Sequence, residues 1–362
     1  MKKKIIFMCI NMNIGGTEKA LLNMISEISL KEYEVTILML EKYGGFLGDI
    51  PKGVKVRYLK DYKEIKPLLN NQPLHVSKKL LCECKVIQSL STFGLNLIGK
   101  IIGERSLYYK YLLRNSIETE VYDIAVAYAG PMEFITYYVL KKINANKKVQ
   151  WIHFDVSKIG FNSKFSRKYY EKFDKVFVVS DEGKNKLLEK VPQLNNVEVK
   201  YNVIPIKQIK KLANEGTGFN DNFDGKRILT VGRLAKEKGQ DLTIEVMKML
   251  KEEGKNIRWY CIGDGVAKKE YEDLVKRYDL EDDYIFLGAK ANPYTYMKEC
   301  DIYVQPSRHE GFCITLAEVK CFNKNIITTD FVGAKEQLKN YEKQFIVKID
   351  YLDIYQKTLK FI

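Results

Sequence analysis

Two glutamates eight positions apart, Glu310 and Glu318, lie in a run whose other features suit an anion. The run reads Pro306-Ser307-Arg308-His309-Glu310-Gly311-Phe312-Cys313-Ile314-Thr315-Leu316-Ala317-Glu318, and the apolar stretch Asp301-Ile302-Tyr303-Val304 leads into it. Gly311 marks a turn, and an apolar helical pattern follows. A strand, a tight loop and a helix start leave backbone N–H groups free to meet negative charge. A carboxylate there is badly placed for a bare phosphate and well placed to accept hydrogen bonds from hydroxyls, so the pair points to a ligand carrying both phosphate and sugar. With the helix beginning near Cys313, Glu318 lies about 7 Å along its axis at ~1.5 Å per residue. Glu310 precedes the first turn, so the two carboxylates can grip hydroxyls on either side of a diphosphate.

A second constellation is Thr230-Val231-Gly232-Arg233-Leu234-Ala235-Lys236-Glu237-Lys238-Gly239. Gly232 relaxes a turn after an apolar run, and Arg233 and Lys238 stand on the loop and at the next helix start. Arginine grips phosphate oxygens bidentately and lysine adds a point charge, so together they suit a diphosphate; read singly, they are two solvated charges. Asn13-Ile14-Gly15-Gly16-Thr17-Glu18 pairs two glycines at a helix start, which lets backbone approach a ligand and equally describes a tight strand-to-helix turn. Trp151-Ile152-His153-Phe154-Asp155 ends an apolar run with one of only 3 histidines. His153 could hydrogen-bond a substrate hydroxyl or be a satisfied core residue. Ile262-Gly263-Asp264-Gly265 and Phe286-Leu287-Gly288-Ala289-Lys290 end two more apolar runs, and Asp330 and Gly333 follow another.

The elements that must position these residues form two series. Apolar runs at 4–10, 34–40, 122–128, 148–153, 175–180 and 197–204 alternate with helical patterns near 17–30, 131–142, 164–172 and 181–190. Runs at 227–232, 257–262, 284–287, 301–305, 325–329 and 345–348 alternate with helical patterns near 238–253, 266–278, 292–299, 313–322 and 333–340. Strands with little polar alternation, separated by amphipathic helices, imply parallel sheets covered on both faces. The sequence therefore predicts an α/β protein of two Rossmann-like domains, 1–205 and 206–362, facing across a cleft, with ligands at the C-terminal ends of the strands. The polar run Asn214-Glu215-Gly216-Thr217-Gly218-Phe219-Asn220-Asp221-Asn222 reads as a linker or exposed loop. Residues 67–117 break the rhythm with a helical, basic insertion. It is read either as an extra helical layer of the first domain or as an amphipathic surface that lies on a membrane.

Net charge is +14, with +12 in residues 1–200 and +2 in the remainder. Such a basic surface attracts nucleic acid, anionic lipid or a phosphorylated substrate. No nucleic-acid motif is found, and the 24 tyrosines are spread too evenly to form a stacking platform. No run of about 18 apolar residues is present to span a bilayer. Met1-Lys2-Lys3-Lys4 and the apolar residues after it read as a first strand rather than a signal peptide. The 7 cysteines are scattered and fit reduced, mostly buried thiols in a cytosolic protein.

Taken in order, Val231-Gly232-Arg233-Leu234 with Lys238-Gly239, Gly263-Asp264-Gly265, Phe286-Leu287-Gly288, and Glu310-Gly311-Phe312 with Glu318 resemble the donor-binding half of retaining glycosyltransferases of the GT-B fold, family 4. The match spans residues 227–338, and the first domain matches more loosely through Gly15-Gly16-Thr17-Glu18 and Trp151-Ile152-His153. The resemblance implies that Arg233 and Lys238 hold the diphosphate of a nucleotide-sugar, most commonly a UDP-sugar, and stabilise the leaving group. It implies that Glu310 accepts hydrogen bonds from the donor sugar and that Glu318 holds the ribose hydroxyls. Gly311, Phe312, Cys313 and Ile314 would line the sugar and phosphate, with Gly263 and Gly288 in the neighbouring loops. Gly15 and Gly16 would approach the phosphate, and His153 the donor sugar. No metal and no cofactor is implied, since Arg and Lys replace the metal, and no Asp-x-Asp is present. The acceptor would be a lipid-linked or polymeric cell-envelope glycan, and the protein would be cytoplasmic, peripheral on the inner face of the membrane, with its basic first domain on anionic lipid. The alternative on the same fold is a non-catalytic nucleotide-sugar-binding protein or partner subunit. After the last apolar run only Asp350 to Ile362 remain, where that family carries a long closing helix.

Overall fold

The computed structural model describes residues 2–362, which fall into two compact units. The first comprises residues up to Val179 and Gly183–Tyr201; the second comprises Ser180–Glu182 and Asn202–Ile362. The elements of the first series are β1 (Lys3–Cys9), α1 (Gly16–Ser26), β2 (Tyr33–Met39), β3 (Lys55–Tyr58), α2 (Tyr62–Asn70), α3 (Pro73–Cys82), α4 (Val86–Ile102), α5 (Ser106–Leu112), β4 (Val121–Gly130), α6 (Glu133–Lys141), β5 (Asn144–Ile152), α7 (Ser163–Tyr169), β6 (Lys175–Val178), α8 (Asp181–Lys190) and β7 (Val197–Val199). The second series has α9 (Ile206–Leu212), β8 (Lys226–Val231), α10 (Gln240–Glu252), β9 (Ile257–Ile262), α11 (Lys268–Arg277), β10 (Tyr284–Gly288), α12 (Tyr294–Glu299), β11 (Ile302–Gln305), α13 (Ile314–Val319), β12 (Asn325–Thr329), α14 (Ala334–Leu338), β13 (Gln344–Val347) and α15 (Tyr351–Thr358).

Each unit holds one sheet, and all the strand pairs are parallel. The first is 7-stranded in the order β3-β2-β1-β4-β5-β6-β7, and the second is 6-stranded in the order β10-β9-β8-β11-β12-β13. Counted within its own unit, the second order is 3-2-1-4-5-6, that of doubly wound nucleotide-binding sheets. The two Rossmann-like domains expected from the sequence are therefore observed. The order reverses between β1 and β4 in one sheet and between β8 and β11 in the other, the place where sheets of this kind put their ligands.

The strand sequences explain why both faces are covered. Successive side chains point to opposite faces, and in the second sheet Ile228, Trp259, Val304 and Ile327 join one core while Leu229, Tyr260, Tyr303 and Ile326 join the other. The polar run 214–222, expected to be a linker or an exposed loop, is an exposed loop of the second unit, pinned at its C-terminal part. Phe219 packs on Tyr260 with ring centroids 4.4 Å apart. Asp221 pairs with Arg227 at 2.7 Å and Arg258 at 3.1 Å. Burial works against the Asp221 carboxylate, yet hydrogen bonds from Arg227, Tyr260 and Arg258 overcome it and draw its pKa down to about 2.

The basic insertion forms α2 to α5 between β3 and β4, anchored in the first core by Tyr62, Ile65, Tyr108, Tyr109 and Leu112. All seven cysteines are free; Cys82 and Cys84, at the turn between α3 and α4, are exposed rather than buried. No helix among the described residues is long and apolar enough to cross a membrane.

Candidate functional site

The loops after β8 and β11, on either side of the reversal point, bring Lys238 and Glu310 together. Lys238 Nζ donates to Glu310 Oε1 at 2.6 Å, and both side chains are largely covered. Ser307 Oγ donates to the same oxygen at 2.8 Å. Among the described residues Glu310 Oε2 receives no hydrogen bond. Behind Ser307 runs a buried chain: Gln305 Nε2 donates to Ser307 Oγ at 2.8 Å, and Gln305 Oε1 accepts from Tyr303 at 2.8 Å and Thr315 at 3.1 Å. The carboxylate of Glu310 is thus aimed by Ser307, which is itself held through three side chains rooted in β11 and α13. Burial pulls the Lys238 ammonium toward losing its proton, but the Glu310 charge and hydrogen bond more than offset this and hold its pKa above the ordinary value.

The two loops are fastened to each other. Arg308 forms a bidentate pair with Asp241 at 2.8 and 2.5 Å, donates to Lys236 O at 2.7 Å, and its own N–H meets Glu237 O at 2.8 Å. Gly239 has φ of 73°, and a Cβ there would lie 2.1 Å from Pro306 O, so glycine alone permits this approach. Gln240, buried at the start of α10, donates to Arg233 O at 3.0 Å and fixes the backbone that carries Arg233. The Arg233 side chain is exposed and pairs only loosely with Glu237 at 3.3 Å, which leaves it able to swing to an incoming anion.

Gly263 follows β9 and Gly288 ends β10, and Gly263 N–H donates to Gly288 O at 3.0 Å. Gly311 is buried, Phe312 is partly exposed, and Cys313 caps α13 with its thiol pushed up to about 12 by burial. With the Gln337 amide oriented by its hydrogen bonds, its oxygen accepts from Cys313 N–H at 3.2 Å. Ile314 is buried at the helix start. Glu318, on α13, is 3% exposed and accepts from Tyr294 OH at 2.7 Å. Tyr294, Tyr303, Gln305, Ser307, Thr315, Arg308 and Gln240 went unrecognised in the sequence. Ser307 and Arg308 sit inside the run that carries Glu310, and the alternation of Tyr303 and Gln305 along one face of β11, continued by Ser307 just past its end, was the available signal.

In the first unit, Gly15 caps α1 in extended geometry and Gly16 begins the helix with nothing within 4 Å of a Cβ built there. His153 follows β5 and is 6% exposed. Its ring lies parallel to Trp151, 3° apart in plane with centroids 6.0 Å apart, and 4.4 Å from Tyr128. Burial drives its pKa down to about 3 against a partial rise from a hydrogen bond to the Tyr128 backbone. His153 is therefore neutral at physiological pH. Nε2 is buried and has no partner among the described residues, so the ring offers an acceptor aimed at nothing in this unit.

The His153 shift carries a stability prediction. The unfolded chain binds this proton below pH 6.5, whereas the folded chain resists it until about pH 3, so stability is present above 6.5 and lost as pH falls. Between pH 8 and pH 5 the loss is about 2 kcal/mol. It should show as a falling urea midpoint of Trp151 fluorescence in a Trp259→Phe background. His153→Asn should flatten the profile, and an unchanged slope in that variant would show that other groups cause it.

Among the described residues no group of three or more His, Cys, Asp or Glu side chains is assembled to hold a metal ion. The site of Lys238, Arg233 and Glu310 instead presents cations beside an oriented carboxylate at the reversal point of a Rossmann-like sheet. Residues 218–356 match the family model of glycosyl transferases group 1. An uncharacterized glycosyltransferase of Methanocaldococcus jannaschii is 26% identical over 227 residues, 59% of this chain and 55% of that one. The Campylobacter jejuni N-acetylgalactosamine-N,N'-diacetylbacillosaminyl-diphospho-undecaprenol 4-alpha-N-acetylgalactosaminyltransferase is 34% identical over 154 residues, 42% of this chain and 40% of that one. The matches thus span about half of these curated relatives. Anabaena HepE in complex with UDP-glucose is similar in structure, with a TM-score of 0.67 at 18% identity, covering 99% of this chain and 89% of HepE. That likeness shows the fold, the two Rossmann-like domains of the GT-B class.

Proposed function

We propose that the protein is a retaining glycosyltransferase that moves a hexose from a nucleotide-sugar, a UDP-sugar first among candidates, to a lipid-linked or polymeric cell-envelope glycan. The observation that carries the reading is the Lys238–Glu310 pair at 2.6 Å, placed where the second sheet reverses its strand order. A ligand with a diphosphate next to a hydroxylated ring matches it: phosphate oxygens take up Lys238 and Arg233, and sugar hydroxyls donate to Glu310. Glu318 would serve the ribose hydroxyls from α13. In the first unit His153 offers a neutral acceptor for a sugar hydroxyl, and Gly15 and Gly16 expose backbone at a helix start.

The chemistry this favours is electrostatic. As the anomeric C–O bond breaks, negative charge collects on the departing diphosphate and positive charge on the sugar. Fixed cations stabilise the first of these most when it is fully developed, and Arg233 and Lys238 supply that charge without a metal. The undecaprenol-diphosphate sugar in the name of the Campylobacter relative supports a lipid-linked acceptor, as does the basic first domain, which would hold the protein on the inner face of the membrane. Isothermal titration with UDP, comparing wild type with Arg233→Ala and Glu318→Gln, tests the donor site. Both variants should bind at least tenfold more weakly; equal affinity in all three would refute the assignment. A donor screen monitored by nucleoside diphosphate release, with and without lipid-linked acceptors, then names the sugar.

A further inference from the structure

Helix α4 is built inside out. Ser89, Thr92 and Gly99 are its buried residues, whereas Ile87 is 82% exposed, Leu90 67%, Leu97 51% and Ile101 76%. Phe93 and Ile98 are exposed beside them. The spacing 87, 90, 97 and 101 keeps these side chains on one stripe of the helix. The inward face is held by polar contacts: Ser89 Oγ meets Ser77 Oγ at 2.6 Å and donates to Ser77 O at 2.8 Å, and Asn96 accepts from Arg105 at 3.3 Å. Leu74 and Leu81 of α3 are also exposed, at 57% and 47%. Isolated exposed aliphatics need no explanation, but a continuous apolar stripe along 17 residues does.

We infer that α4 is an interfacial helix that lies flat in an anionic bilayer surface, its apolar stripe sunk among the acyl chains. At ~1.5 Å per residue it is about 25 Å long, and no helix among the described residues is long and apolar enough to cross, so the geometry is that of a helix in the membrane plane. Charge chooses the occupant. Lys78, Lys79 and Lys100 are exposed on the same two helices and Lys110 on α5, while of the two acidic residues between positions 72 and 114 Glu104 is buried and Glu83 is paired with Lys85. A second copy docking face to face would set these lysines against their own counterparts, since a twofold interface pairs one patch with itself. Anionic headgroups meet them with opposite charge, at the level where lysine stems reach out of an apolar surface. This deepens the proposed function, on which it rests only for the use of a lipid-linked acceptor.

The test is co-sedimentation of the full chain with phosphatidylcholine vesicles, with and without phosphatidylglycerol. Wild type should bind the anionic vesicles and keep part of that binding at high salt, because the apolar stripe is insensitive to screening. Leu90→Gln/Ile101→Gln should lower vesicle partitioning at least tenfold, with an unchanged circular dichroism spectrum and unchanged UDP affinity. Lys78→Gln/Lys79→Gln should instead erase the preference for anionic lipid. Equal partitioning of wild type and the Leu90/Ile101 variant would overturn the inference. So would absence of binding to either vesicle, or a dimer in lipid-free solution that this variant makes monomeric. UDP binding is read separately, so failure here and failure of the donor site are distinguishable.

Discussion

Lys238→Met is expected to lower the rate of nucleoside diphosphate release from a nucleotide-sugar by about a hundred- to a thousand-fold, the usual loss when one fixed charge-stabilising group is removed from a reacting centre. The same substitution should destabilise the second unit, for a different reason. It leaves the Glu310 carboxylate, whose side chain is 9% exposed, with Ser307 as its only hydrogen-bond donor among the described residues. Unpairing a buried carboxylate costs about 3–5 kcal/mol, and the partial exposure of Lys238 reduces this to about 2. Adding Glu310→Gln separates the two effects. The neutral amide still accepts from Ser307 and no longer needs a cation, so stability should recover while turnover stays low. The pH of the assay does not blur this comparison. The raised pKa of Lys238 places its stabilisation fully below pH 10.5, to be lost only as pH rises through the still higher folded value. Turnover within threefold of wild type in Lys238→Met would remove this lysine from the mechanism.

That experiment rests on a pairing that could be read only in part from the sequence. Lys238 and Glu310 each carried a plausible role because each follows an apolar strand and a glycine-marked loop, and a doubly wound sheet brings such loops together. Their direct contact was not legible, since 72 residues separate them and nothing local encodes the Arg308–Asp241 clamp that sets their distance. The chain from Tyr303 through Gln305 and Ser307 was hidden for a similar reason. A polar residue in a strand reads as an outward-facing one, whereas Gln305 is buried at the end of β11 because Tyr303, Thr315 and Ser307 satisfy its amide. Strand β3 was missed because an edge strand has little to bury: Lys55, Val56 and Tyr58 are all exposed, so no apolar run announces it. Helix α4 shows the limit most plainly. Its periodicity identified an amphipathic helix, but periodicity cannot say which face turns inward, and here small and polar residues do.

Gly263→Ala should cost the second unit more than about 3 kcal/mol, and the reason lies in backbone rather than in any side chain. Gly263 has φ of 153°, and a Cβ there would stand 1.9 Å from the carbonyl oxygen of Gly232. A carbonyl has no rotamer to escape into, so a strand end must move. Neither end is loose. Gly232 N–H donates to Ile262 O at 2.9 Å, Gly263 N–H to Gly288 O at 3.0 Å, and Leu234 N–H to Asp264 O at 3.0 Å, which ties the loops after β8, β9 and β10 into one assembly. Displacing Gly232 carries Arg233 with it, so UDP affinity should fall at least tenfold alongside stability. Gly288→Ala is the matched control. It also has positive φ, 72°, but nothing lies within 4 Å of its Cβ, so its cost is only that of a left-handed residue, about 1–2 kcal/mol. Trp259, buried in the second core, reports both variants in a Trp151→Phe background through the urea midpoint. If Gly263→Ala cost no more than Gly288→Ala, the close approach of these two loops would not be what holds Arg233 in place. The proposed donor site would then depend on Lys238 and the clamp at Arg308 alone.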